Sequence, residues 1–214
     1  MKLVFVADPM CSWCYGFAKE LTALQELHPS LPLEIRVGGV RAGETEVMTD
    51  ELKHFRLGHW GRVEAVSGLP FNREAFMALR DFVYDTEPVC RAIVTVRKLA
   101  PSIPQLPVFR AIQRAFYVEG LDTTDEGVLA VAAVVEMKLL GQQITPAQFQ
   151  EVWRDPATIA ETAAEFKMVR RWGISSFPAL LAENKGELSM ISPGYASVRD
   201  IQARLKPLLM SATA

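Results

Sequence analysis

The sequence predicts an α/β fold in which a β–α–β unit and a β–β–α unit are separated by a long helical block. Three observations carry this expectation. Two strand-like runs, Leu3-Val4-Phe5-Val6-Ala7 and Leu33-Glu34-Ile35-Arg36-Val37, flank a segment of helical periodicity. From about Gly43 to Trp172 nearly everything reads as helix. After Gly173 strand character returns, and a capped helix follows.

Lys2 to Ala7 reads as a buried strand. From Cys14 the apolar residues Phe17, Leu21 and Leu24 recur at helical spacing, and Pro29 marks the stop. The second strand alternates apolar and charged residues and ends at Gly38-Gly39. In the helical block, Asp50 to Val66 reads as helix despite Gly58 and Gly61, whereas Asn72 to Tyr84 carries the weakest pattern. Thr86 is placed to cap a helix running to Leu99, and Pro104 to Tyr117 forms the next. Thr124 to Leu140 is strongly apolar, and its stretch from Val128 is expected to pack in the core of the block. Thr145-Pro146-Ala147-Gln148 has the form of a capping box with proline at the first helical position. Asp155-Pro156 opens the last helix of the block and Gly173 closes it. Ala179 to Ala182 and Leu188 to Ser192 then form a hairpin across Asn184-Lys185-Gly186-Glu187. Ser197 and Asp200 cap a helix that reaches about Met210.

Composition narrows the function. A net charge of −2 on 214 residues gives no electrostatic footprint for nucleic acid. No apolar run approaches the roughly 20 residues that span a bilayer, so no membrane partner is expected. The first apolar run is too short for a secretory segment and leads into Asp8-Pro9 rather than a small-residue cleavage site, which points to the cytoplasm. Three cysteines are too few for a disulfide framework in a chain of this length.

Two of those cysteines form Cys11-Ser12-Trp13-Cys14, between the first strand and the first helix. A sulfur at that junction meets unpaired backbone N–H groups and the positive end of the helix dipole, which favour thiolate over thiol. A thiolate is the nucleophile of disulfide exchange, and Cys14, one turn later, can resolve a mixed disulfide. Cys11 and Cys14 are therefore the expected catalytic pair.

The element order, with C-x-x-C after the first strand and a proline before the third, resembles the thioredoxin fold. The large all-helical insertion resembles its DsbA-like branch. Asp8-Pro9-Met10-Cys11-Ser12-Trp13-Cys14-Tyr15-Gly16-Phe17 is similar to the cytosolic, FrnE-like group of that branch. Asp85 to Ala92 and Gly173 to Ala179 extend the likeness, which spans essentially the whole chain. It implies a discontinuous thioredoxin-like domain at 1–42 and 173–214, with a helical domain at 43–172 inserted into it. It implies further that Pro178 is a cis-proline facing the cysteines, and that the backbone of Phe177 pairs with an extended substrate. Phe177 stands where the wider superfamily has Val or Thr, which bears on substrate preference. Trp13 either offers an apolar face to substrate or covers Cys14. Ser12 and Trp13 bring no positive charge, unlike the Pro-His of strongly oxidising periplasmic relatives, so a less oxidising pair is expected.

The other chemistry-bearing residues read more plainly. Cys90 is expected to be a small buried hydrophobe. His54 and His59 are five apart, which does not match the i, i+4 pair of a helical metal site, so no metal is expected. Trp60 fits a helix–helix contact and His28 a solvated helix end. Asp8, Glu34 and Arg36 lie on or beside the central strands, and one of them is a candidate for the proton transfer that accompanies resolution by Cys14.

The expected function is thus a protein disulfide oxidoreductase or isomerase without organic cofactor. Its partners would be client-protein or small-molecule disulfides and thiols, with glutathione as co-substrate or a thioredoxin system as acceptor. Two other readings stand beside it. One is glutathione-dependent isomerase or transferase chemistry of the hydroxychromene-carboxylate isomerase or kappa-class type, whose members generally carry a single serine at the catalytic spot. The other is a non-enzymatic peptide-binding or chaperone module.

Overall fold

The computed structural model describes residues 1–212. Strand β1 (Lys2–Ala7) leads into helix α1 (Ser12–Leu27) and strand β2 (Leu33–Val37). A helical block follows: α2 (Asp50–Ser67), α3 (Arg73–Ala78), α4 (Glu87–Leu99), α5 (Gln105–Tyr117), α6 (Glu126–Leu139), α7 (Pro146–Arg154) and α8 (Pro156–Arg171). The hairpin β3 (Ala179–Asn184) and β4 (Glu187–Ser192) and helix α9 (Val198–Ala212) complete the described chain. The thioredoxin-type order β2-β1-β3-β4 results, with β1 parallel to β2 and antiparallel to β3.

Strand alternation decides which residues face which layer. Leu3, Phe5 and Ala7 point into the main core with α1 residues Phe17, Leu21 and Leu24. Val4 and Val6 point the other way, onto Val169 of α8, Ile174, Ala179 and Leu181. The outer edge of β2 is closed by side chains. Glu165 of α8 accepts from the Val37 N–H at 2.9 Å, and Arg97 of α4 donates to the Ile35 carbonyl at 2.9 Å. These contacts block strand addition at that edge.

The helical block is not purely helical. Val47 and Val83 form an isolated antiparallel bridge, so part of the weakly patterned stretch is extended. The capping box at Thr145 and Gln148 forms as expected. Thr86 sits at the N-cap of α4 but makes no cap bond there. Its hydroxyl accepts from the Arg41 N–H at 3.1 Å instead, and Asp85 takes the Glu87 N–H at 2.9 Å. The apolar stretch on α6 is only half core: Leu129, Ala130, Ala133 and Met137 are buried, whereas Val131, Val135 and Leu139 are exposed. No helix is long and apolar enough to cross a membrane among the described residues.

Candidate active site

Cys11 occupies the N-cap of α1 in an extended conformation, and no side chain caps the helix there. Its carbonyl accepts from the Tyr15 N–H at 3.0 Å, and its own N–H donates to the Asp8 carbonyl at 3.0 Å. Cys11 is partly exposed, beside the open N–H groups of the first turn. Cys14 lies one turn further in and is fully buried. Burial first, then its hydrogen bond to Cys11, pushes the Cys14 thiol well above the ordinary range. The two sulfurs are close but not bonded to each other.

The Phe177–Pro178 peptide is cis. It brings the Phe177 carbonyl to 3.6 Å from the Cys11 sulfur, across the whole helical block in sequence. The Phe177 N–H makes no hydrogen bond among the described residues, so this short backbone segment beside the sulfur is open to an added strand. The tip of the Phe177 ring packs against Gly38, where an added Cβ would lie 2.1 Å from Cζ. Trp13 is partly exposed at the rim and packs on Tyr195, ring centroids 5.9 Å apart.

The turn that carries the cysteines is held from below. Asp8 is fully buried and accepts from the Met10 N–H at 2.9 Å and the Val40 N–H at 2.8 Å. Burial raises its carboxyl to about 6, against the opposing pull of Thr86 and those backbone donors. Tyr84 and Tyr117 both donate to the carbonyl of Met10, the residue before Cys11, the Tyr117 bond being 2.5 Å long. Both tyrosines come from the helical block, so the inserted segment fixes the backbone on which the reactive sulfur stands.

No family profile matches the chain, and no curated protein sequence matches it. Solved structures do. A Nitrosomonas europaea protein assigned as a protein disulfide isomerase is 34% identical over 99% of both chains, with a TM-score of 0.84. The cytosolic disulfide reductase DsbM of Pseudomonas aeruginosa is 26% identical over 99% of this chain and 100% of its own, with a TM-score of 0.80. DsbM has also been solved with glutathione, and that structure gives a TM-score of 0.78 at 25% identity. The chain belongs to the DsbA family of thioredoxin-fold oxidoreductases.

In this DsbA-family chain the remaining candidates separate cleanly. Glu34 and Arg36 pair with each other, with Lys2 and with Glu165 at the far edge of the sheet. Asp8 alone of the three candidate proton-transfer groups lies against Cys14, whose sulfur meets the Asp8 backbone. Cys90 is buried, and burial first, then the neighbouring Asp8 carboxylate charge, holds its thiol well above the ordinary range. His59 on α2 is bonded to Arg62 at 2.8 Å, His54 to the Asp50 carbonyl at 2.7 Å, and Trp60 is buried against Phe71, Phe76 and Tyr117. No cluster of metal-binding side chains occurs among the described residues. A groove of about 1000 Å³ runs between α1, α5 and α6 past Thr22, Arg110 and Val131, and Cys11 is not among the residues that line it. That groove is separate from the cysteine pair. A 2-hydroxychromene-2-carboxylate isomerase shares the fold at 13% identity and a TM-score of 0.58.

Tyr84 and Tyr117 escaped the sequence reading because nothing local marks them. Each is an aromatic in an apolar setting, and only the tertiary fold brings both hydroxyls to one carbonyl.

Proposed function

We propose that the protein is a thiol–disulfide oxidoreductase that works through Cys11 and Cys14, with glutathione as its small-molecule co-substrate and the cytoplasm as its compartment. The observation that carries this reading is the asymmetry of the pair. One cysteine is partly exposed at a helix N-terminus, its sulfur 3.6 Å from the Phe177 carbonyl, and the other is buried behind it.

The chemistry follows from that asymmetry. The Cys11 thiolate attacks one sulfur of a substrate disulfide, forms a Cys11–substrate disulfide and releases the other half as a thiol. Cys14 then gives up its proton and attacks the Cys11 sulfur, which releases the second half as a thiol. Two electrons and two protons pass from the pair to the substrate, and the enzyme is left with a Cys11–Cys14 disulfide. Two molecules of glutathione reverse the state and leave as glutathione disulfide. The segment at Phe177 aligns an extended substrate beside the sulfur through main-chain hydrogen bonds, and Pro178 and Trp13 border that position. Likeness to a cytosolic disulfide reductase solved with glutathione supports the reducing direction, the co-substrate and the compartment.

Equilibration with defined ratios of glutathione to glutathione disulfide, followed by thiol trapping, tests the reading. A reversible two-electron couple that vanishes in Cys11→Ser is the expected result. A pair that stays reduced at every ratio would overturn it.

A further inference from the structure

Helix α2 carries Arg56, whose side chain reaches toward the turn before Cys11 only through Tyr84. The guanidinium of Arg56 lies 3.6 Å above the centre of the Tyr84 ring. Tyr84 in turn donates to the Met10 carbonyl next to Cys11, and it lies within electrostatic reach of both Arg56 and Cys11. Arg56 is therefore linked, through one aromatic ring and one hydrogen bond, to Met10, the residue before Cys11.

It lacks an acidic partner, as does Arg110, which is likewise partly buried but donates to the Thr22 hydroxyl at 2.8 Å. Arg36, Arg73, Arg91 and Arg97 are also partly buried, and each meets a glutamate. Arg56 has no ion pair and no hydrogen bond among the described residues. Its Nε is buried without a partner, while its two Nη groups are not buried. The nearest buried acid on this side, Asp8, has its oxygens occupied by the N–H groups of Met10 and Val40. A planar cation pinned on a ring, with its donor fork unfilled, matches a carboxylate. Stacking on Tyr84 fixes the plane of that fork, so little side-chain freedom is lost when an anion arrives.

We propose that Arg56 is a carboxylate-binding residue of the Cys11 site and selects anionic thiols and disulfides over neutral ones. The proposal rests on the reading of Cys11 as the reacting thiol and adds a substrate class to it. The carboxylate then belongs to a flexible low-molecular-weight thiol whose sulfur meets Cys11.

Calorimetric titration with reduced glutathione tests the binding without any redox step, in Cys11→Ser and in Cys11→Ser/Arg56→Gln. The expected result is that Arg56→Gln weakens binding about tenfold, and that glutathione with both carboxylates esterified binds the two proteins equally. The second measurement is the rate of alkylation of the reduced wild-type protein by iodoacetate and by iodoacetamide. The iodoacetate-to-iodoacetamide rate ratio should fall several-fold in Arg56→Gln and be largely kept in Arg56→Lys, which retains the cation. Unchanged glutathione binding overturns the proposal, as does an equal loss of rate with both reagents, which would mean that Arg56 acts on the thiol and not on the incoming anion. The two readings fail separately. Binding lost in Arg56→Gln without turnover in the wild type sinks the redox reading alone. Turnover with binding indifferent to Arg56 sinks this one alone.

Discussion

The ring of Phe177 fills the space that a side chain on Gly38 would need, with the nearest ring atom 2.1 Å from the position of the missing Cβ. Gly38 ends β2, and Phe177 supplies the carbonyl that faces Cys11, so the glycine sets how near that carbonyl comes to the sulfur. Gly38→Ala must push the ring outward. Overpacking of this kind costs about 1–3 kcal/mol, or roughly 3 °C of Tm per kcal/mol for a chain of this size. Thermal unfolding should show that loss, and disulfide turnover should fall by more than the stability change explains. Full turnover with an unchanged Tm would show that the loop absorbs a methyl group freely.

Tyr84 and Tyr117 share one acceptor, and that makes them non-additive. Either Tyr→Phe change leaves the Met10 carbonyl with one partner and should cost about 1 kcal/mol. The double change leaves a buried carbonyl with neither hydroxyl, so it should cost more than the sum of the singles. Urea denaturation of the four proteins in the cycle measures this directly. Simple additivity would mean that another donor reaches Met10.

Asp8 should make the protein lose stability as pH rises from about 4 to about 6. Its folded carboxyl is raised from the ordinary aspartate range to about 6 by burial, so in that window the folded state holds a proton that the unfolded state has released. Stability from this group is complete below the unfolded value and is gone above the folded one. A gap of about two pH units corresponds to about 3 kcal/mol. Asp8→Asn lacks the titration and carries a cost independent of pH, because its amide N–H₂ faces one of the backbone donors. The difference in urea midpoint between the two proteins should therefore change with pH between 4 and 7, in the direction that favours Asp8 at the acid end. A constant difference would mean that Asp8 titrates alike in both states.

Only one of the three thiols should react quickly in the native, reduced protein. Cys14 and Cys90 are fully buried, and burial raises both thiols well above the ordinary range. Titration with a chromogenic disulfide or with iodoacetamide should count one fast thiol, lost in Cys11→Ser, and two more only on unfolding. A Cys90 that reacts at the rate of Cys11 would mean that α4 opens readily in the native state.

The parts of this molecule legible in its sequence are those written in local patterns. The strands β1 and β2, the capping box at Thr145 and the helix start at Asp155-Pro156 all rest on spacing within a few residues. The cysteine pair was legible for the same reason, since a strand before it and a helix after it are both local. What was not legible depends on partners far away in sequence. Thr86 has the residue type of a cap, but its hydroxyl is claimed by Arg41, 45 positions earlier. The apolar run on α6 reads as core throughout, yet its length exceeds what one helix face can bury, and Val131, Val135 and Leu139 remain outside. Among Asp8, Glu34 and Arg36 the sequence offered no way to choose, because the distinction is which of them lies against Cys14 and which on the edge strand β2.

The anchoring of the Met10 carbonyl by two tyrosines also orders events in time. A ribosome releases Cys11 and Cys14 long before it has made Tyr84, Tyr117 or Phe177. During that interval the emerging chain carries both thiols without the fold that buries one and frames the other. Selectivity for one sulfur is thus a late acquisition, gained when the inserted helices close beneath the first turn of α1 and the Phe177 carbonyl arrives above it.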